Sequence, residues 1–254
     1  MLGQRVLKEL VYIGSPSRWV SAARNPRLAV CGFLTPILKH PVLYSRTRKI
    51  QGLITPEVGV LLYESVLAAK HESPNVVEAG AYQGLSTTYL AAAAAKANKR
   101  VKVVDWFAGL SATDPELDPR FVAGALVSDA GRWEANLKMN GLRGVVDLTI
   151  GDARETMLPA LRNQGFALAF LDVDLYEVTR DLLFQLASVA SGGETIIVHD
   201  ADSPGIKKAI SEFRASSGQP WRGQFVAGGF TAKLSLPRGG SWRRPAYSSA
   251  LNNP

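Results

Sequence analysis

The sequence predicts an α/β protein built on a doubly wound, mostly parallel sheet, closed by an antiparallel pair expected over Phe225 to Leu236 with its turn at Gly228-Gly229. Three observations carry this. Short strand-like, β-branched runs recur at Val76–Val77, Val101–Val104, Val145–Ile150, Phe166–Leu171 and Glu194–Val198, and segments of helical spacing separate them. An acidic residue stands at or just past the end of each run: Glu78, Asp105, Asp152, Asp172 and Asp200. In such sheets ligands bind at the carboxyl edge, so five acids placed there mark a site better than any one motif.

The first unit is Val76-Val77-Glu78-Ala79-Gly80-Ala81-Tyr82-Gln83-Gly84-Leu85-Ser86, followed by an alanine-rich helix from Thr87 to Ala97. Gly80 and Gly84 allow a tight turn and close approach to a ligand, and Ser86 is placed to cap the helix. A dinucleotide fingerprint would put its second glycine where Tyr82 stands, and a carboxylate at Glu78 would repel a pyrophosphate. Both residues suit a ligand that carries an ammonium group and no phosphate. At these positions the sequence resembles class I S-adenosylmethionine-dependent methyltransferases, and Glu78 to Ser86 is close to the glycine motif of the catechol O-methyltransferase type. The resemblance implies a Rossmann-like methyltransferase sheet, with S-adenosyl-L-methionine held by Glu78, Gly80, Ala81, Tyr82, Gly84 and Ser86.

Upstream, Thr55-Pro56-Glu57 is a helix start, with Val58, Leu61, Leu62, Val66 and Ala69 on its apolar face. Downstream, Asp105 ends the second strand and is placed to accept from ribose hydroxyls, with a turn cap as the competing role. Trp106 and Phe107 come next and are placed to flank the adenine or the substrate. Asp105-Trp106-Phe107-Ala108-Gly109-Leu110 is similar to a segment of macrocin-type O-methyltransferases. Residues 111–120, rich in Asp and Pro, form a loop and a candidate lid. A helix resumes near Phe121 or Val127 and ends at Gly141. Asp152 and Ala153 are placed to read adenine, although Asp152 also suits a helix cap.

Phe170 to Thr179 resembles the Asp-Gly-Asp-Leu-Tyr-Glu-Ser-Thr segment of the macrocin O-methyltransferase family. His199-Asp200, Pro204-Gly205 and Phe213-Arg214 extend the likeness, which spans about residues 55–235. It implies methyl transfer to a small-molecule hydroxyl of a sugar or phenol, with Asp172 also near the cofactor and a divalent metal, Mg or Mn, on Asp172, His199 and Asp200. The family has an acid where His199 stands. An imidazole suits zinc, manganese or iron better than magnesium, so metal use is open. Asp172 or His199 alone as general base is the metal-free alternative, and a purely structural His199–Asp172 hydrogen bond is the third. The lysine base of the catechol type is absent, since Leu175 stands there.

Net charge of +7 is concentrated in residues 1–50, which sum to +8, whereas the rest sums to −1. That distribution disfavours a nucleic-acid methyltransferase, as does the lack of an Asn-Pro-Pro-Tyr or Asp-Pro-Pro-Tyr segment. The basic charge of the arm suits an anionic membrane face or an anionic substrate, with solvated surface the plainer reading, and its apolar, proline-broken stretch suits a homodimer contact. A short amphipathic helix is expected at residues 3–13, and an irregular, proline-broken cap from Ser15 to Arg48. Cys31, the only cysteine, excludes an internal disulfide and points to a cytoplasmic setting. No signal peptide is evident. The expected division is an arm over 1–54, a methyltransferase domain over 55–236 and a disordered tail over 237–254. A non-catalytic cofactor-binding module with a docking arm is the rival from a different class, and a nicotinamide oxidoreductase is the nearest enzymatic one.

Overall fold

The computed structural model describes residues 38–227 and 230–239. The expected helix at 3–13, Cys31, most of the proline-broken cap, the Gly228–Gly229 turn and the tail beyond 239 lie outside them. Where the cap is described, it is not irregular: α1 (Pro41–Thr47) is helical, with Pro41 in the first turn, where its missing N–H costs nothing. α2 (Pro56–Ala68) starts as its sequence dictates. Thr55 accepts from the Val58 amide, Pro56 follows it, and Glu57 lies at the positive end of the helix dipole.

Seven strands form one sheet in the order β3-β2-β1-β4-β5-β7-β6. β1 (Asn75–Ala79), β2 (Arg100–Asp105), β3 (Val146–Ile150), β4 (Leu168–Leu171) and β5 (Thr195–Val198) are parallel. β7 (Thr231–Ser235) runs antiparallel between β5 and β6 (Arg222–Val226), completing the expected closing pair. Strand order reverses between β1 and β4, so a crevice opens beyond their carboxyl ends.

Two apolar layers close the sheet. On one face α2, α3 (Leu85–Lys96) and α4 (Ala130–Met139) bury Leu62, Val66, Leu90, Trp133 and Leu137. On the other, α5 (Ala153–Leu161), α6 (Tyr176–Val189) and α7 (Pro204–Ser216) bury Met157, Leu182, Leu186, Ile206 and Phe213. β4 is buried along its whole length, as expected of a central parallel strand with helices on both faces. α3 begins earlier than its alanine run, and α4 begins only at Ala130, because Asp129 caps it by accepting from the Gly131 amide. Gly141, with φ +68°, stands just past its end as expected. No helix among the described residues is long and apolar enough to cross a membrane.

Candidate active site

A cavity of about 470 Å³ opens over the crevice between β1 and β4, within the size range of small-molecule sites. From the turn after β1 it is lined by Gly80, Ala81, Tyr82 and Ser86; from the ends of β2 and β3, by Asp105, Trp106, Asp152 and Ala153. Asp172 reaches it from β4, and His199 and Asp200 from β5. The side chains expected at the cofactor and at the reaction centre therefore share one space.

Two expected cofactor residues are not on its walls. Glu78 is fully buried within β1, where it accepts from Thr87 Oγ1, and its Oε1 has no partner. Burial pushes its carboxyl up to about 8, against the pull of the Ser86 and Thr87 hydroxyls. Glu78 is thus part of the support behind the turn and does not line the space for an ammonium ion. Gly84 also faces away, and a β-carbon there would meet the Trp133 ring at 3.0 Å. It is Gly84, with φ +86°, that occupies the cap position of α3, in place of Ser86; Ser86 lies inside the first turn.

Asp105 holds the turn in shape. Its Oδ2 accepts from the amides of Ala81 (2.7 Å) and Tyr82 (3.0 Å), while Oδ1 accepts from Phe107 (2.7 Å). The competing cap role is therefore present, and one lone pair of Oδ1 remains for a ligand hydroxyl. Asp152 resolves in the same direction. It caps α5 through the Arg154 amide and pairs with the Arg154 guanidinium at 2.6 Å. Burial raises its pKa, but the hydrogen bonds from Arg154 outweigh this and hold it low. Trp106 is 40% exposed, with its indole N–H bonded to the Gly109 carbonyl, so it forms a rim and not a buried stack.

At the other end, His199 is buried and presents Nδ1 to two carboxylates, Asp172 Oδ1 at 3.0 Å and Asp200 Oδ2 at 2.9 Å. Two acceptors on one nitrogen require a proton on that nitrogen. Burial alone would lower the imidazole pKa, yet the charges and hydrogen bonds of Asp172 and Asp200 raise it well above the usual histidine range. One donor atom from each of Asp172, His199 and Asp200 lies within 4.8 Å of the others, a spacing at which three groups can share one metal ion.

Sequence reasoning gave no role to Asp174, which lines the cavity beside this cluster. Burial and the like charges of Asp172 and Asp200 push its carboxyl well above the ordinary range. The Asp172-Val173-Asp174 spacing was the available signal. Arg120, Phe121 and Leu126 also line the cavity from the loop after β2, and Leu53 and Ile54 from the segment before α2. Tyr82, Leu126, Asp174 and Asp200 all have left-handed backbone, with φ of 49°, 62°, 65° and 48°. Such strain gathers where the surroundings enforce a functional geometry.

Residues 77–201 match the family described as a methyltransferase domain. Solved structures of the same fold include the O-methyltransferase NovP, at 21% identity over 74% of this chain and 82% of that one, with a TM-score of 0.61. The calicheamicin methyltransferase CalS11 is 21% identical over 89% and 94%, with a TM-score of 0.55. TomG, an O-methyltransferase from Streptomyces achromogenes solved with S-adenosylmethionine, is 15% identical over 72% and 81%, with a TM-score of 0.53. No curated protein sequence matches. The fold is that of class I S-adenosylmethionine-dependent methyltransferases. The chain carries a methyltransferase domain at residues 77–201.

Proposed function

We propose that the protein is an O-methyltransferase that moves the methyl group of S-adenosylmethionine to a hydroxyl of a small sugar or phenolic acceptor. One observation carries the reading: the glycine turn braced by Asp105 and the Asp172–His199–Asp200 cluster open into the same cavity. The relatives NovP and TomG, described as O-methyltransferases, support it.

In this scheme Gly80, Ala81, Tyr82 and Ser86 form the bed of the methionine part, Asp105 faces the ribose, and Asp152, Ala153 and Trp106 border the adenine. The sulfonium brings its own leaving group, so the protein has only to align the acceptor oxygen and remove its proton. Asp172 takes that proton, held in orientation by the Nδ1–H of His199. Asp200 adds negative charge that favours proton transfer away from the acceptor, whereas the Asp174 carboxyl, pushed well above the ordinary range, stays protonated beside it.

A second reading is supported by the close donor set of Asp172, His199 and Asp200. These residues would hold a divalent ion, manganese being better suited than magnesium to the imidazole. Such an ion lowers the pKa of a bound hydroxyl. Calorimetric titration with S-adenosylhomocysteine, with and without magnesium or manganese, tests cofactor and metal together. Methyl transfer from labelled S-adenosylmethionine to a panel of sugars and catechols tests the acceptor class. Absence of binding to the product cofactor in every condition would overturn the proposal. His199→Ala should leave that binding in place while lowering methyl transfer by about 100-fold or more.

A further inference from the structure

The 24-residue connection from Trp106 to Asp129 carries Arg120 and Phe121 to the cavity, and it contains one deeply buried acid, Asp118, at 3% exposure. Asp118 Oδ1 accepts from the amide of Tyr176, the first residue of α6, at 3.0 Å. Leu175, which occupies the cap position of α6, has no side-chain group to do this. The other oxygen of Asp118 accepts from the Asp114 amide at 3.2 Å, closing the loop on itself.

A neighbouring contact repeats the pattern. The Leu117 carbonyl accepts from the amide of Gly205, the second residue of α7, at 2.9 Å. A β-carbon on residue 205 would lie 2.7 Å from that carbonyl and 2.9 Å from Asp118 Oδ1, so the approach needs glycine. The connection is thereby docked on the first turns of two helices, α6 and α7. These are the helices that follow the Asp172–Asp174 and His199–Asp200 strand ends. Two residues beyond Asp118, the Arg120 guanidinium forks onto Asp202 at 3.1 and 3.3 Å and lies 3.8 Å from Asp200.

We propose that Asp118 is a positioning residue: by capping α6 from a distant part of the chain, it fixes Arg120 and Phe121 against the Asp172–His199–Asp200 cluster. Its importance for the acceptor rests on the methyl-transfer reading, whereas the docking of the loop does not. Without its carboxylate the first turn of α6 loses this side-chain cap, and the loop is left with the Leu117–Gly205 bond and the Arg120–Asp202 pair alone. Asparagine keeps one acceptor oxygen for Tyr176 and offers an amide group where Asp114 needs an acceptor, so it restores part of the tie.

The test uses the full chain and limited trypsin digestion, following the Arg120–Phe121 bond by mass spectrometry against the exposed Lys96 of α3 and Lys138 of α4 as controls. In Asp118→Ala, cleavage after Arg120 should rise about tenfold or more, the equivalent of one lost hydrogen bond to a charged group. Cleavage at Lys96 and Lys138 and affinity for S-adenosylhomocysteine should stay within about twofold, because those two lysines, paired with Tyr63 and Glu134, and the glycine turn share no hydrogen-bond partner with residue 118. Asp118→Asn should fall between the alanine variant and the native chain. Unchanged cleavage after Arg120 in a folded Asp118→Ala protein would overturn the proposal. So would a parallel rise at all sites in both variants, which would make Asp118 a general stability residue. If Asp118→Ala does not fold, Asp118→Asn alone decides by the same comparison. Should the chain fail to bind the product cofactor, the digestion result still stands, so the two readings fail separately.

Discussion

Gly80 passes so close to Asp172 that a β-carbon on residue 80 would lie 2.0 Å from the Asp172 carbonyl oxygen. This is where the sheet changes direction: Asp172 donates its amide to Ala79, and Gly80 donates to Val104. With φ at +81°, residue 80 also has a backbone that side chains disfavour by about 1–3 kcal/mol. Gly80→Ala should therefore cost more than about 2 kcal/mol in urea denaturation and abolish detectable binding of S-adenosylhomocysteine. A variant of native stability and native affinity would show that the crossing is slack.

Asp105 links the second strand to the glycine turn through three backbone amides. Hydrogen bonds to a charged group are worth roughly 1.5–3 kcal/mol each, although amides left at a cavity wall recover part of this from water. Asp105→Ala is expected to lose about 2–3 kcal/mol and at least tenfold in affinity for S-adenosylhomocysteine, and Asp105→Asn less of both. Denaturation and calorimetry on the same preparations check this. Loss of affinity with no loss of stability would assign Asp105 to the ligand alone.

These two residues show what the sequence makes legible. Apolar runs and the acids that end them define strands and their common edge, because parallel strands with helices between them must all finish on one side. The side-chain partners at that edge follow no such rule. Glu78 looks like a ligand group in the linear sequence, yet its strand position turns it toward Thr87 behind the turn. Asp152 and Asp105 meet local amides first. Asp118 could not be found from its neighbours, because the helix it caps begins 58 residues later. His199 was recognisable as a departure in a familiar segment, but its contact with two acids depends on how β4 and β5 pair.

Glu78 gives a pH prediction of definite sign. Its folded pKa of about 8 exceeds the ordinary carboxyl value of 4.5, so the folded state binds the proton more tightly than the unfolded chain. This contribution to stability is complete below about pH 4.5 and is lost as pH rises through 8. Glu78→Gln mimics the protonated form and has no charge to bury. Melting temperatures at pH 5, 7 and 9 should show the variant gaining on the native protein as pH increases. A difference that stays constant over this range would mean that Glu78 is not held protonated by its surroundings.

On the outer strands, Lys102 is 8% exposed in β2, and its Nζ donates to Asp147 Oδ2 of β3 at 2.8 Å. Arg100 grips the same carboxylate, and the hydrogen bonds of the two cations hold it well below the ordinary carboxylate range, against the effect of burial. Its folded pKa is depressed, so the stability it contributes is present above the ordinary value of 3.8 and disappears on stronger acidification. At neutral pH the larger effect is on the lysine. Asp147→Ala leaves a nearly buried ammonium with no carboxylate beside it, a condition that is costly, whereas an apolar chain of similar length can replace a buried pair with little loss. Lys102→Met combined with Asp147→Ala should therefore be more stable than Asp147→Ala alone, by about 1 kcal/mol or more in urea denaturation. Strict additivity of the two substitutions would show that Lys102 reaches water without Asp147 and that the pair does not fix the β2–β3 edge.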